Sequence, residues 1–141
     1  MSDLQCPFCH LDDPSVVVVS DRHVLAVVSR APINRYHVLV VPRVHVEQFT
    51  EIRGDVAASI WSTAQKVARS IKAVAQPDGI TYITDDDLTG QGYNLVPHWK
   101  LHVIARFRDE NISLDWARGP DPGLEVRSSI ASSLRLEMER V

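Results

Sequence analysis

The sequence predicts an α+β domain: an antiparallel sheet with one long helix and a C-terminal helix. Three observations carry that expectation. Two apolar segments in "SVVVVSDRHVLAVVS" (15–29) flank a polar "SDRH", the pattern of a hairpin. Between about Thr50 and Val74 the apolar spacing changes from the period of a strand to that of a helix. Strand character then returns in two further runs, and a charged, helix-compatible tail closes the chain.

Taken in order, the hairpin is followed by "RYHVLVVPRVH" (35–45), a strand that Pro42 ends or places at an edge. Ile52, Val56, Ile60, Ala64, Val67 and Ile71 recur at intervals of three and four, which gives the long helix one apolar stripe. Thr50 and Arg53 supply half a capping pattern, and "QPDG" (76–79) stops the helix. "ITYITDD" (80–86) reads as a strand and "DDDLTGQGYN" (85–94) as a polar loop, whose lone "GQG" is weak evidence for phosphate binding. "VPHWKLHVIARF" (96–107) reads as the last strand, and 108–123 as an irregular connection punctuated by Gly119, Pro120, Pro122 and Gly123. Residues 124–140 form the terminal helix, with Leu124, Ile130, Leu134 and Met138 as contact points.

A chain of 141 residues, 45% hydrophobic, is expected to form one domain spanning 1–141. No apolar run approaches the roughly 18–20 residues that cross a bilayer. "MSDLQCPFCHLDD" lacks the basic lead and apolar core of an export signal, so a cytoplasmic location with no membrane partner is expected. A formal net charge of -3 argues against a non-specific nucleic-acid partner. It leaves room for a small phosphorylated ligand, because one pocket can be positive on an acidic protein.

Cys6 and Cys9 form a CxxC pair able to grip one metal ion, and zinc suits two sulfurs and two imidazoles in a tetrahedron. The imidazoles come from six histidines, at positions 10, 23, 37, 45, 98 and 102. His45 and His98 adjoin strands that can hold them rigidly, which favours them over His10. Four protein ligands leave no open position, so such a metal is structural. A redox pair and two unrelated cysteines are the competing readings, although redox CxxC pairs usually lie between a strand and a helix.

His98, Lys100 and His102 alternate with Trp99, Leu101 and Val103, putting two imidazoles and an ammonium on one side of the expected strand. Imidazole can ligate zinc, attack phosphorus or move a proton near neutral pH, whereas lysine offsets phosphate charge and is mostly protonated.

With these residues in view, the chain resembles the histidine triad (HIT) family, whose signature is His-x-His-x-His-x-x with apolar residues at x. The signature stands here as "HWKLHVI" (98–104), and a second landmark, an apolar strand ending in Pro-Lys-x-His, stands as "HVLVVPRVH" (37–45). The resemblance runs from about Cys6 to Trp116. It implies a HIT-like fold, a homodimer, and structural zinc held by Cys6, Cys9, His45 and His98. It also implies a nucleotide phosphoester or phosphoanhydride hydrolase or nucleotidyl transferase. Catalytic roles would fall to Lys100 at the nucleophile position, His102 orienting phosphate oxygens, and His37 supporting the site. Ser29, Asn94, Leu95, Lys100 and His102 would contact the nucleotide or phosphate.

The departures lie in the same place. Lys100 replaces the middle histidine, and Ser29 stands where the family commonly has an aspartate for the ribose hydroxyls. Asp87, Tyr93, Asn94 and Leu95 occupy the positions of the polar elements before the triad, and Ala105 replaces a proline. These changes set altered or weak turnover against two alternatives. One is a catalytically impaired, zinc-stabilised nucleotide- or phosphate-binding protein. The other is an interaction domain whose pocket is closed by Tyr93 or Leu95.

Overall fold

The computed structural model describes residues 3–11, 13–92, 94–113 and 118–140. Its main unit, ending at Asn111, is a five-stranded antiparallel sheet with a helix on one face. The elements are β1 (Val17–Ser20), β2 (Val24–Val28), β3 (His37–Pro42), α1 (Gly54–Ala75), β4 (Gly79–Ile83), β5 (Leu101–Arg106) and α2 (Leu124–Met138). The strand order is β1-β2-β3-β5-β4, so the last strand enters between β3 and β4. Helix α2 belongs to a second unit that begins at Ile112, and no residue of α2 is buried.

Strand alternation sorts the sheet into two faces. Val24, Ala26, Val38, Val40, Leu101, Val103 and Ala105 pack against the apolar stripe of α1, from Val56 through Ile60, Ala64 and Val67 to Ile71. The intervening residues Leu25, Val27, Leu39 and Val41 form a smaller cluster on the opposite face, covered by Phe8, Leu11 and Val17. Both faces are therefore closed over β3, whose six residues are all buried. Ile60 is fully buried at the centre of the helix stripe. Ile60→Ala is expected to cost about 2–5 kcal/mol, read as a lower urea midpoint with an unchanged slope.

Two boundaries differ from the sequence expectation. Helix α1 starts at Gly54 rather than near Thr50, because Phe49–Glu51 closes a separate 3-10 turn. Within it the Glu51 carboxylate accepts the N–H groups of Gln48 at 3.0 Å and Glu47 at 3.2 Å. At its other end the helix stops at Gln76, which turns left-handed at φ 49° and donates to the Lys72 carbonyl before Pro77. The second difference concerns the last strand. It begins at Leu101, and residues 96–100 are bent or irregular instead of extended. Pro97 has no N–H, His98 N–H turns back to the Val96 carbonyl at 2.8 Å, and Trp99 N–H goes to the Val46 carbonyl at 2.6 Å. No ladder partner is left for this stretch.

Among the described residues no helix is long and apolar enough to cross a membrane.

Candidate functional site

The bend before β5 decides how the polar residues are used. Trp99, fully buried, anchors the segment on the α1 side beside Phe49, with ring centroids 5.3 Å apart. His98 and Lys100 consequently face the other way, but they do not share one flat strand surface with His102. His98 turns toward the N-terminal segment, and Lys100 and His102 face a recess.

Cys6, Cys9, His45 and His98 converge, with one donor atom from each lying within 4.8 Å of all the others. The Sγ atom of Cys6 is 3.3 Å from His98 Nδ1, and that of Cys9 is 3.4 Å from His45 Nδ1 and 3.8 Å from His98 Nδ1. Four donors bound tetrahedrally at about 2.0–2.3 Å from one ion would lie about 3.3–3.8 Å apart. Three of the six donor pairs already stand at that spacing, and the donor chemistry of two sulfurs and two imidazoles suits a zinc-sized ion. His98 Nε2–H donates to the Pro42 carbonyl at 2.8 Å, which leaves the lone pair on Nδ1, facing the sulfurs. The four metal-ligating residues expected from the sequence are thus brought together. His10 is exposed and lies outside the cluster.

On the same side of the sheet, opposite α1, is a recess of about 650 Å³. Ser29, His37, Leu95, Lys100 and His102 line it, with an apolar wall that includes Phe8, Leu11, Val27 and Leu39. Lys100 is buried, and its ammonium donates to the Val96 carbonyl at 2.7 Å and to the Asn94 side-chain oxygen. Its Nζ also lies 5.4 Å from the centre of the Phe8 ring, within cation–π range. Burial pulls the Lys100 ammonium down to about 8, and the Cys6 sulfur acts in the opposite direction. Asn94, expected to touch the ligand, supplies an acceptor that holds Lys100.

His37 and His102 form a directed chain. Ile33 N–H donates to His37 Nδ1 at 3.0 Å, so in the neutral ring the proton sits on Nε2. That N–H donates to His102 Nδ1 at 2.9 Å, which in turn places the His102 proton on its own Nε2. His102 is thereby set as a hydrogen-bond donor by a backbone amide two residues removed in the chain of contacts. Burial pushes both imidazoles down to about 4, and for His102 the charges of His37 and Lys100 add to the effect.

These two histidines make stability pH-dependent in a stated direction. Their folded values lie below the usual 6.5, so between about 6.5 and 4 the unfolded chain binds more protons. The stabilisation is complete above that window and is lost as pH falls through it. His102→Gln removes one of them. Urea unfolding from pH 7 to pH 4 is expected to show a shallower loss in the variant, and parallel slopes would contradict the assignment.

The loop before the site uses its aspartates on backbone N–H groups, two of them within the loop. Asp86 accepts Phe49 N–H at 2.7 Å, while Asp85 and Asp87 accept backbone N–H groups two residues on, each at 2.8 Å. A Cβ on Gly92 would lie 2.7 Å from an Asp85 carboxylate oxygen, so the second glycine of "GQG" serves close packing of this loop. Leu95 is 84% exposed and does not plug the recess. Tyr93, the other residue expected to close it, lies outside the described residues. Phe8 and Leu11 were not singled out from the sequence. Their signal was present: they are apolar residues within and just after the CxxC pair.

Comparison with known proteins agrees with this geometry. The HIT domain family matches residues 10–109. The protein named "Protein hit" from Bacillus subtilis strain 168 is 29% identical over 139 residues, covering 92% of this chain and 94% of its own. The crystal structure of a HIT family protein from Bacillus anthracis superposes with a TM-score of 0.83 at 27% identity, covering 94% of this chain and 96% of that one. A zinc-bound histidine triad family protein from Mycobacterium smegmatis gives 0.70 at 25% identity, with 98% and 99% covered.

Proposed function

Because the chain belongs to the HIT family, we propose that it is a zinc-stabilised protein that binds a nucleoside phosphate or a related phosphate ester in the recess, with little or no turnover. The observation that carries this reading is the Lys100 ammonium, buried at the recess and tied to two carbonyl-type oxygens. Acceptors of that kind favour the charged form. A fixed cation beside the His102 N–H is suited to hold phosphate oxygens, but it offers no ready lone pair for attack. The apolar wall formed by Phe8, Leu11, Val27 and Leu39 suits a flat base or another apolar body.

Cys6, Cys9, His45 and His98 would hold the zinc ion, whose contribution is a crosslink between the N-terminal segment and the sheet. With all four positions taken by protein, the ion is structural. The homodimer implied by the family resemblance and the cytoplasmic location expected from the sequence complete the proposal. Sedimentation velocity tests the dimer, for which the edge strand β4 and its exposed Tyr82 offer a surface.

The test is calorimetry with adenosine mono- and polyphosphates beside product assays on adenosine polyphosphates and an adenylated amine. Binding without product is expected, and turnover is expected to appear or rise in Lys100→His. No binding to any of these compounds would end the reading. One observation favours a second reading, in which Lys100 itself takes the nucleotidyl group. Lys100 is buried at the recess, and that burial pulls its ammonium down to about 8, so a neutral amine is easier to reach there than on an exposed lysine. A nucleotide adduct on Lys100 in the mass spectrum after incubation with an adenylated amine would support it.

A further inference from the structure

The metal cluster and the recess share a wall. Phe8 sits between the two cysteines, and its ring meets the His98 ring edge-on at 5.5 Å. The same ring lies 5.4 Å from the Lys100 ammonium. Pro7, Phe8 and Leu11 all line the recess, and Phe8 and Leu11 pack on the sheet cluster of Leu25, Val27, Leu39 and Val41. The segment reaches this position from the chain terminus. Cys6 and Cys9 tie it to His45 and His98, which belong to the turns beside β3 and β5. His98 and Lys100 are also only two residues apart, on the irregular stretch that precedes β5.

We infer that metal binding and ligand binding are thermodynamically linked, with Phe8 as the positioning residue that joins them. Clamping Cys6 and Cys9 fixes the Phe8 ring against Lys100 and completes the wall on which the apolar part of the ligand rests. Releasing the clamp returns the segment to many conformations, and the ligand must then meet the entropic cost of ordering it. By reciprocity, ligand in the recess must tighten the hold on the metal by the same factor. The inference rests on the recess being the phosphate-ligand site.

The experiment uses the full chain and adenosine monophosphate as probe. Its affinity is measured by calorimetry for the zinc-loaded and the chelator-treated protein. Zinc affinity is measured by chelator competition with and without the nucleotide. A loss of about fivefold or more on metal removal is expected, with a matching gain in zinc affinity when the nucleotide is present. Phe8→Ala is the decisive variant, because it keeps all four ligands. It is expected to bind one zinc per chain, to hold the nucleotide at least about fivefold more weakly, and to show no effect of nucleotide on zinc affinity. Phe8→Leu, which retains apolar bulk, is expected to recover part of the loss, and it carries the same test should Phe8→Ala not fold.

Equal nucleotide affinity in the loaded, stripped and Phe8→Ala proteins would overturn the linkage and leave the ligand site standing. Absence of nucleotide binding to the loaded wild-type protein would instead remove the site on which the linkage rests.

Discussion

Stripping the metal with a chelator is expected to lower the melting temperature by about 10–20 °C. An ion that binds the folded chain alone, present at a thousand times its dissociation constant, adds about 4 kcal/mol. In a domain of this size each kcal/mol moves the midpoint by roughly 3–5 °C. The effect is large because the ligands come from both ends of the main unit: Cys6 and Cys9 near the terminus, and His45 and His98 from turns beside two central strands. Cys6→Ser is expected to reproduce most of the loss, since Cys6 is fully buried and its sulfur lies 3.3 Å from His98 Nδ1. Scanning calorimetry checks both cases. A chelated sample shown to be metal-free yet melting where the loaded one does would contradict a structural role. Substitution by cobalt provides a spectroscopic check, because a site with two thiolates and two imidazoles gives tetrahedral, thiolate-bound cobalt bands.

Replacing Lys100 by methionine is expected to weaken adenosine monophosphate binding by about ten- to a hundredfold. A hydrogen bond to a charged group contributes about 1.5–3 kcal/mol, and each 1.4 kcal/mol is tenfold in affinity. Methionine keeps an unbranched apolar stem in the recess while removing the charge. The variant also leaves the Val96 carbonyl and the Asn94 oxygen without the ammonium that now bonds them. A stability loss of about 1–3 kcal/mol should accompany the loss of affinity. The two effects are separable. Stability is read by urea unfolding without ligand, and affinity by calorimetry on samples that remain folded. Unchanged affinity in a folded variant would show that the ammonium is a packing element and not the anion contact.

Much of the metal site was legible from residue types. A CxxC pair is a compact chelate wherever the chain places it, and few residues can complete a tetrahedron around two thiolates. Neighbouring strands favoured His45 and His98 over His10, the family resemblance supplied the full set, and both histidines do meet the cysteines. The apolar stripe from Val56 to Ile71 was equally readable, because a helical period of that length has one natural reading. Boundaries were less readable. Glu51 closing its own turn and Pro97 withholding an N–H are local details that override periodicity at the ends of α1 and β5.

The recess was not legible at all as a shape. Lys100, His102 and His37 were named from the sequence, but their partners come from across the fold. Asn94 and Val96 cradle the lysine, and a chain of donors from Ile33 sets the protonated nitrogen of His102. Phe8 belongs to the wall only because the segment carrying Cys6 and Cys9 lies over the face opposite α1.

By itself, then, the sequence determined the kinds of element, the apolar faces they must bury and the donors available to a metal, since these follow from residue chemistry and period. The tertiary structure alone decided that β5 enters between β3 and β4. That placement sets His102 across from Leu39 and within reach of His37, and leaves His98 and Lys100 on the bend leading into the strand. The β3–β5 pairing joins segments more than sixty residues apart, for which no local spacing in a single chain carries a signal.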